Sequence, residues 1–121
     1  MEYAKLGKSG IEVSRLCVGC MSFGRPSEDF HEWTLNPNET EEIVKKALDL
    51  GINFFDTANT YSHGTSEEYL GRALKKNIAR NKVVIGTKVY FNEGHLSKEA
   101  VRREIDGSLK RLGTDYVDLY I

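Results

Sequence analysis

Apolar residues follow two different spacings along the chain, and the two alternate. Short, nearly continuous apolar runs predict buried strands over residues 16–19, 52–56, 82–89 and 115–121. The segments between them have apolar residues at helical spacing, which predicts amphipathic helices over residues 38–51, 65–76 and 96–113. Before the first run, the segment EYAKLGKSGIEVSRL predicts two short strands joined by a glycine-containing turn. The predicted order is therefore a hairpin followed by β-α-β-α-β-α-β.

Local signals mark the ends of the predicted helices. The predicted N-caps are Asn38 for the first helix, Thr65 or Ser66 for the second, and Ser97 for the third. Gly51 and Gly113 follow the first and third helices, and glycine at this position commonly ends a helix. Together with the strand runs, these signals set the limits of three βα connections.

The alternation of strands and helices predicts an α/β fold. Strands that are apolar throughout and separated by helices form parallel sheets whose faces are covered. A βα unit of roughly thirty residues is compatible with an open doubly wound sheet or with part of a (β/α)8 barrel. A complete (β/α)8 barrel needs ~250 residues, and the chain has 121. We therefore expect about half of such a barrel at most.

Composition and charge limit the classes of function. The chain is 40% hydrophobic and 29% charged, with 17 Lys and Arg against 18 Asp and Glu. Such a balance is ordinary for a globular protein and predicts no nucleic-acid partner. No apolar run approaches the ~18 residues that a membrane-spanning helix needs, and the first residues lack the apolar region of a signal peptide. We expect a cytoplasmic protein without a membrane partner.

Three residues that can carry acid–base chemistry lie at or after the ends of two predicted strands. Asp56 ends one strand, Tyr61 lies in the loop after it, and Lys88 lies near the end of the next strand. Chemistry in parallel α/β folds collects at the carboxyl ends of strands. If the two strands are neighbours, Lys88 neutralises Asp56 and places an ammonium beside the Tyr61 phenol, which makes the phenol a stronger acid. The alternative is a structural Asp56–Lys88 ion pair with Tyr61 as a loop aromatic, and the residues alone leave it open.

Two further patterns have the spacing of metal or redox sites. Cys17 and Cys20 are three residues apart, but residues three apart on a strand point to opposite faces, and there is no second cysteine pair. We interpret Cys17 as part of the strand core. His31, His63 and His95 recur at equal intervals, one in each loop after a strand. Repeat spacing alone places such residues on one face, so we predict no metal site.

Four segments of the sequence resemble the aldo-keto reductase family: LGKSGIEVSRLCVGCMSFG, GINFFDTANTYSHGTSEEYLGRAL, VIGTKV and SLKRLGTDYVDLYI. The resemblance extends over essentially the whole chain, and FFDTANTY is its most specific block. It is nearest to the branch that contains aryl-alcohol-dehydrogenase-like reductases and potassium-channel β subunits. The resemblance implies an N-terminal hairpin plus the first four β-strands and three helices of a (β/α)8 TIM barrel. Residues 1–121 would then form the N-terminal half of the barrel.

The same resemblance implies NADPH-dependent reduction of aldehydes or ketones. In that activity Tyr61 is the proton donor, Lys88 strengthens its acidity, and Asp56 holds Lys88 and lies near the nicotinamide ribose. Cys20 and Met21 match positions that line the nicotinamide site. The implied ligands are NADP and a small-molecule carbonyl substrate.

Part of the family's machinery lies outside these 121 residues. The family's fourth catalytic residue is a histidine a few positions beyond DYVDLYI, and its phosphate- and adenine-binding segments belong to the second half of the barrel. We therefore expect the chain alone to be inactive, to retain NADPH poorly, and to self-associate through exposed sheet edges. A non-catalytic remnant or a binding subunit stays open as the alternative function.

Overall fold

An antiparallel hairpin precedes the main sheet of the protein. The structure is a computed structural model that describes residues 1–29 and 31–121. Strands β1 (Tyr3–Lys5) and β2 (Glu12–Ser14) pair antiparallel, as the sequence predicts. The turn between them contains two glycines with positive φ, Gly7 at 58° and Gly10 at 81°, a conformation that glycine adopts without steric cost.

In the described residues the main sheet has four parallel strands in sequential order. They are β3 (Val18–Gly19), β4 (Phe54–Asp56), β5 (Val84–Thr87) and β6 (Leu119–Tyr120), and their order in the sheet is β3-β4-β5-β6. A doubly wound sheet reverses its strand order part-way, whereas a barrel adds each strand beside the last. The sequential order therefore matches the barrel alternative, and the sheet of the described residues is open.

Within the part of the chain that the structure describes, three helices cover the face of the sheet toward which Phe55 and Ile85 point. They are α1 (Pro37–Asp49), α2 (Thr65–Asn77) and α3 (Lys98–Leu112), with α2 packed between the other two. The core between sheet and helices includes Val44, Leu70 and Leu112 together with those two strand residues. Right-handed βαβ crossovers that advance in one direction put every helix on the same face. The predicted α/β class is confirmed.

The strands are shorter than the apolar runs that predict them. The run over 82–89, for example, starts at the last residue of a 3₁₀ turn (Arg80–Lys82), and within it β5 covers only Val84–Thr87. Only the residues in register with neighbouring strands form ladder hydrogen bonds, and apolar content does not reveal that limit. As a result Lys88 is the first residue after β5.

The N-caps of α1 and α2 differ from the prediction. Helix α1 is capped by Asn36, not Asn38: the Asn36 side chain accepts from the Glu39 N–H, and the Glu39 carboxylate accepts from the Asn36 N–H. Pro37 explains the shift, because proline lacks an N–H and suits the first helical position. Neither Thr65 nor Ser66 caps α2.

Helix α2 begins after Gly64, whose φ is 92° and which has no side chain to cap with. The Thr65 hydroxyl donates instead to the Ser62 carbonyl at 2.6 Å, because the chain arrives through a left-handed turn. At α3 the prediction is confirmed, since Ser97 accepts from the Ala100 N–H and Gly113 ends the helix at φ 69°. Within the described residues, no helix has the length and apolar character required to cross a membrane.

Candidate active site

An ion pair joins the carboxyl ends of β4 and β5. Lys88 Nζ lies 2.8 Å from Oδ1 and 2.7 Å from Oδ2 of Asp56. The two side chains are only 29% and 32% exposed, so the pair is partly shielded from water. Asp56 lies opposite Gly86 in the parallel register, and Lys88 is two residues beyond Gly86. Because strand side chains alternate, Lys88 emerges on the same face as Asp56.

Tyr61 completes a cluster of three side chains around the Lys88 ammonium. Besides Asp56, Lys88 Nζ donates to the Thr57 carbonyl at 2.9 Å and lies 3.5 Å from the Tyr61 hydroxyl. It also lies 5.0 Å from the centre of the Tyr61 ring. The structure thus brings Asp56, Tyr61 and Lys88 together, with a long Tyr61–Lys88 contact, and their catalytic roles stay a prediction. A carboxylate holds the ammonium in place, and a phenol beside such an ammonium can donate its proton.

The backbone that follows Tyr61 is strained. Ser62 and His63 both have left-handed backbone angles, with φ of 48° and 55°, and Gly64 continues at 92°. Non-glycine residues in this region cost about 1–3 kcal/mol each and persist only where the surroundings hold them. This turn lets the chain pass from β4 to α2 within a few residues while Tyr61 stays beside Lys88.

Gly24 packs closely against the strained turn, and the sequence pattern does not indicate this contact. A Cβ at Gly24 would lie 2.4 Å from the Ser62 Cβ, and its own φ is 131°. The next residue, Arg25, donates its N–H to the Thr65 hydroxyl at 2.8 Å. The long loop after β3 therefore packs directly on the Tyr61 turn. The only sequence signal was a glycine in MSFG, which is compatible with many loops.

Cys20 and Met21 are adjacent in sequence but lie in different surroundings. The Cys20 thiol is buried in the core, where desolvation, and after it the nearby Cys17 and Asp56, raises the pKa of this thiol far above its ordinary value of 9.0. Its backbone is also engaged: the N–H donates to Asp56 O, and the carbonyl accepts from Ser66 Oγ. Met21 is exposed. Of these two, only Met21 lines a cleft together with Tyr61.

Cys17 does not belong to the core, contrary to the sequence interpretation. It is exposed, whereas Cys20 is buried. The residue precedes β3 on the side of the sheet that carries Asp56, and the three helices cover only the other side. Although the residue is exposed, neighbouring protein atoms partly desolvate its thiol; this desolvation first, and then the Asp56 charge, raises the pKa of the Cys17 thiol, while Lys88 lowers it.

Tyr61 lies between two clefts. One, of about 440 Å³, is lined by Met21, His31, Tyr61, His63 and Phe91, among others. The second, of about 320 Å³, includes Tyr61, Lys88, Phe91 and Leu96. Both volumes are at the lower end of the range for small-molecule sites. Phe91 belongs to both clefts and is 77% exposed. In the sequence it is one of two adjacent aromatics, Tyr90 and Phe91, in a polar loop, and this pattern does not indicate a cleft.

The three histidines have different neighbours. His31 stacks on Trp33 with ring centres 4.4 Å apart, His63 pairs with Asp29 at 3.2 Å, and His95 contacts the Tyr90 carbonyl at 2.7 Å. Over residues 1–29 and 31–121, no three His, Cys, Asp or Glu side chains are grouped as metal ligands would be.

Comparison with known proteins relates this site to one family. The sequence model described as the Aldo/keto reductase family matches residues 15–121. The chain belongs to the aldo/keto reductase family. Its sequential sheet and helix layer accordingly correspond to part of the (β/α)8 barrel of that family.

Similar aldo/keto reductases include both curated sequences and solved structures. Versiconal hemiacetal acetate reductase of Aspergillus parasiticus is 42% identical over 98% of this chain and 41% of its own length. The crystal structure of the thermostable aldo-keto reductase Tm1743 with the inhibitor epalrestat gives a TM-score of 0.82 at 35% identity, covering 99% of this chain and 42% of that one. A Klebsiella pneumoniae aldo-keto reductase in complex with NADPH gives 0.75 at 30% identity, covering 92% and 35%. The chain thus spans about two-fifths of the curated relatives it matches.

Proposed function

We propose that this chain supplies the proton-donating part of the active site of an NADPH-dependent reductase of aldehydes and ketones. The observation that carries the proposal is the Lys88 ammonium, which contacts both Asp56 oxygens and lies 3.5 Å from the Tyr61 hydroxyl. Reduction of a carbonyl group places negative charge on its oxygen, and a positioned acid that protonates this oxygen lowers the barrier. In this proposal Tyr61 is that acid.

Each of the three side chains has a separate task. The Tyr61 hydroxyl gives its proton to the carbonyl oxygen, which leaves a phenolate. The Lys88 ammonium stabilises that phenolate because an opposite charge at short range favours the ionised form. Asp56 holds the ammonium through two short contacts, so that Lys88 remains beside Tyr61.

The edge of the sheet has residues that suit a nicotinamide ring and its ribose. NADPH, when bound, supplies the hydride that reduces the carbonyl carbon. Met21 offers an exposed apolar surface in the same cleft as Tyr61, and Asp56 offers a carboxylate that a ribose hydroxyl can contact. Cys20 would support this edge from the core, since its thiol is buried and its backbone is engaged. The NADPH complex of the Klebsiella pneumoniae relative supports the choice of cofactor.

The clefts beside Tyr61 favour a carbonyl substrate with an apolar or aromatic body. Met21 and Phe91 form apolar walls, and the 440 Å³ cleft is large enough for a small aromatic aldehyde. An apolar wall with few polar groups binds by desolvation and leaves the carbonyl as the one group that needs a donor. Tyr61 is that donor.

The activity is proposed for a protein that joins this chain to the remaining barrel strands, and residues 1–121 would form its N-terminal half. The isolated chain is expected to be inactive and to retain NADPH poorly. Hydride transfer requires donor and carbonyl to be held together accurately, and much of the rate comes from that positioning. By family resemblance, the segments that hold the phosphates and adenine lie outside these residues.

The test uses such a joined protein with NADPH and an aromatic aldehyde. Tyr61→Phe should abolish NADPH oxidation while leaving NADPH binding, measured by fluorescence titration, unchanged. Tyr69→Phe is the matched control: it removes a hydroxyl from the middle of α2 and should keep the parent rate. Full activity of Tyr61→Phe would contradict the proposal. NADPH binding without turnover across a panel of aldehydes and ketones would favour the non-catalytic alternative.

A further inference from the structure

A fully buried carboxylate lies beneath the candidate active site. Glu67, in the first turn of α2, has 0% of its surface exposed. Burying a charge is costly unless it is paired and hydrogen-bonded. Glu67 meets that condition, because Oε1 accepts from Arg111 Nε at 2.8 Å and Oε2 accepts from the Thr87 hydroxyl at 2.8 Å. No step of the proposed reaction uses Glu67 directly.

The partners of Glu67 connect it to both sides of the Tyr61–Lys88 contact. Thr87 is the last residue of β5 and directly precedes Lys88. Glu67 itself follows the strained turn that begins at Tyr61, and that turn runs without interruption into α2. The Glu67–Thr87 hydrogen bond is therefore a short link between the backbone that carries Tyr61 and the backbone that carries Lys88.

Arg111 reinforces this link from α3. A Cβ at Gly64 would lie 2.8 Å from Arg111 Cδ, so the arginine stem rests against the residue that ends the Tyr61 turn. The Arg111 guanidinium also donates to the Ser108 hydroxyl at 3.4 Å, within its own helix. Arg111 thus holds the Glu67 carboxylate and limits the movement of Gly64.

We propose that Glu67, together with Thr87 and Arg111, is a positioning residue that sets the distance between the Tyr61 hydroxyl and the Lys88 ammonium. The contact it controls is long, at 3.5 Å. A small relative shift of the two backbones would lengthen this contact beyond hydrogen-bond distance and weaken the effect of the ammonium on the phenol. This inference rests on the proposed function, because it concerns the acidity of the proton donor.

A purely structural role would have a different outcome. If Glu67 only joined α2 to α3, its loss would lower stability and leave the pH dependence of the reaction unchanged. If it positions Tyr61 against Lys88, its loss weakens the acid, so kcat falls and the alkaline limb of the kcat profile moves to higher pH. The pH profile separates the two roles.

The decisive variants are Thr87→Val and Thr87→Ser in the joined protein. Thr87→Val keeps the volume of the side chain, removes the hydroxyl that donates to Glu67, and leaves the Glu67–Arg111 pair intact. We expect kcat to fall roughly tenfold, since a misplacement of ~1 Å can cost ~10²-fold. The alkaline limb should move to higher pH, since the phenolate loses part of its stabilisation by the ammonium, with little change in KM for NADPH. Thr87→Ser restores the hydroxyl and should restore both quantities.

Two further variants complete the test. Glu67→Gln should shift the profile in the same direction, whereas Glu41→Gln, which weakens the exposed pair with Lys76, should not. Unchanged kcat and pH profile in folded Thr87→Val would overturn the inference. If Tyr61→Phe is inactive and Thr87→Val is unchanged, only the positioning role is wrong; if Tyr61→Phe is active, the proposed function is wrong as well.

Discussion

The Lys88 ammonium, from the first residue after β5, contacts both carboxylate oxygens of Asp56, at 2.8 and 2.7 Å. Gly86 is the residue directly opposite Asp56, and a Cβ there would lie 3.7 Å from Asp56 Oδ1. A methyl group at this position would lie at an ordinary van der Waals distance, so the ion pair does not require glycine here. The parallel register brings the two charges together, because Gly86 pairs with Asp56 and Lys88 lies two residues beyond it.

Removing the Lys88 charge should affect catalysis more than folding. In a protein that joins this chain to the remaining barrel strands, we expect Lys88→Met to lower kcat by about 10²–10⁴-fold, because a positioned acid loses its activating charge. Steady-state NADPH oxidation with an aromatic aldehyde measures this. Lys82→Met is the control, since Lys82 is exposed in the turn before β5. A Lys88→Met variant with the parent kcat would identify the pair as structural only.

The contact between α2 and α3 should be intolerant of one methyl group at Gly71. A Cβ there would lie 2.2 Å from the backbone carbonyl oxygen of Leu112. We expect Gly71→Ala to lower the free energy of unfolding by about 1–3 kcal/mol, although alanine is the better helix former. Gly107→Ala is the matched control in α3, because its Cβ would meet only the far end of Arg111, at 3.0 Å.

Urea denaturation measures both glycine variants. Gly107→Ala should be neutral or stabilising by up to ~1 kcal/mol, from helix propensity. If the two substitutions change the free energy of unfolding equally, the close approach of α2 and α3 is not the reason that Gly71 resists substitution.

Stability should fall at alkaline pH through Cys20. Burial raises the pKa of this thiol well above 9.0 in the folded chain, whereas the unfolded chain has the ordinary value. Below pH 9.0 the thiol is protonated in both states, and this contribution to stability is fully present. Above it only the unfolded chain ionises, so the free energy of unfolding falls by ~1.4 kcal/mol per pH unit.

The comparison that isolates this effect is the parent chain against Cys20→Ala. Urea denaturation at pH 7 and pH 10 should show a larger loss for the parent than for the variant. Cys17→Ala should alter the loss of stability between pH 7 and pH 10 less than Cys20→Ala does, because Cys17 is exposed. Parallel pH dependence of the parent and Cys20→Ala would contradict the prediction.

The isolated 121-residue chain should self-associate. In the described residues β3 and β6 are edge strands, and the sheet face that carries Asp56 and Leu119 has no covering helix. Unpaired strand edges and open apolar faces recruit other chains. Sedimentation velocity over a range of concentrations should show species larger than a monomer.

A pair of substitutions locates the association surface. Leu119→Lys on the open face should reduce association. Leu50→Lys makes the same substitution at an exposed residue that caps the C-terminus of α1, and it should leave association unchanged. A parent chain that stays monomeric at all concentrations would be the contrary result.

The sequence by itself determined the order of elements and the candidate chemistry. Periodic apolar residues predicted the hairpin, the strands and the three helices, because burial on one face leaves a pattern within each element. The same pattern placed Asp56 and Lys88 near the ends of two strands that are consecutive in sequence. Boundary signals were less decisive: Ser97 was predicted correctly, whereas the start of α1 moved to Asn36 because Pro37 takes the first helical position.

Only the tertiary structure decided which distant residues meet. The β3-β4-β5-β6 order, the packing of Gly24 on Ser62, the exposure of Cys17 and the burial of Glu67 against Thr87 and Arg111 all join segments far apart in the chain. Local spacing reports which face of an element is apolar, but not which neighbour will cover that face. A glutamate in the polar first turn of a helix is expected to be exposed. Only the position of Arg111 on α3 shows that Glu67 is buried and paired. Pairing across elements therefore set the details of this site, because it depends on the complete fold and not on any single segment.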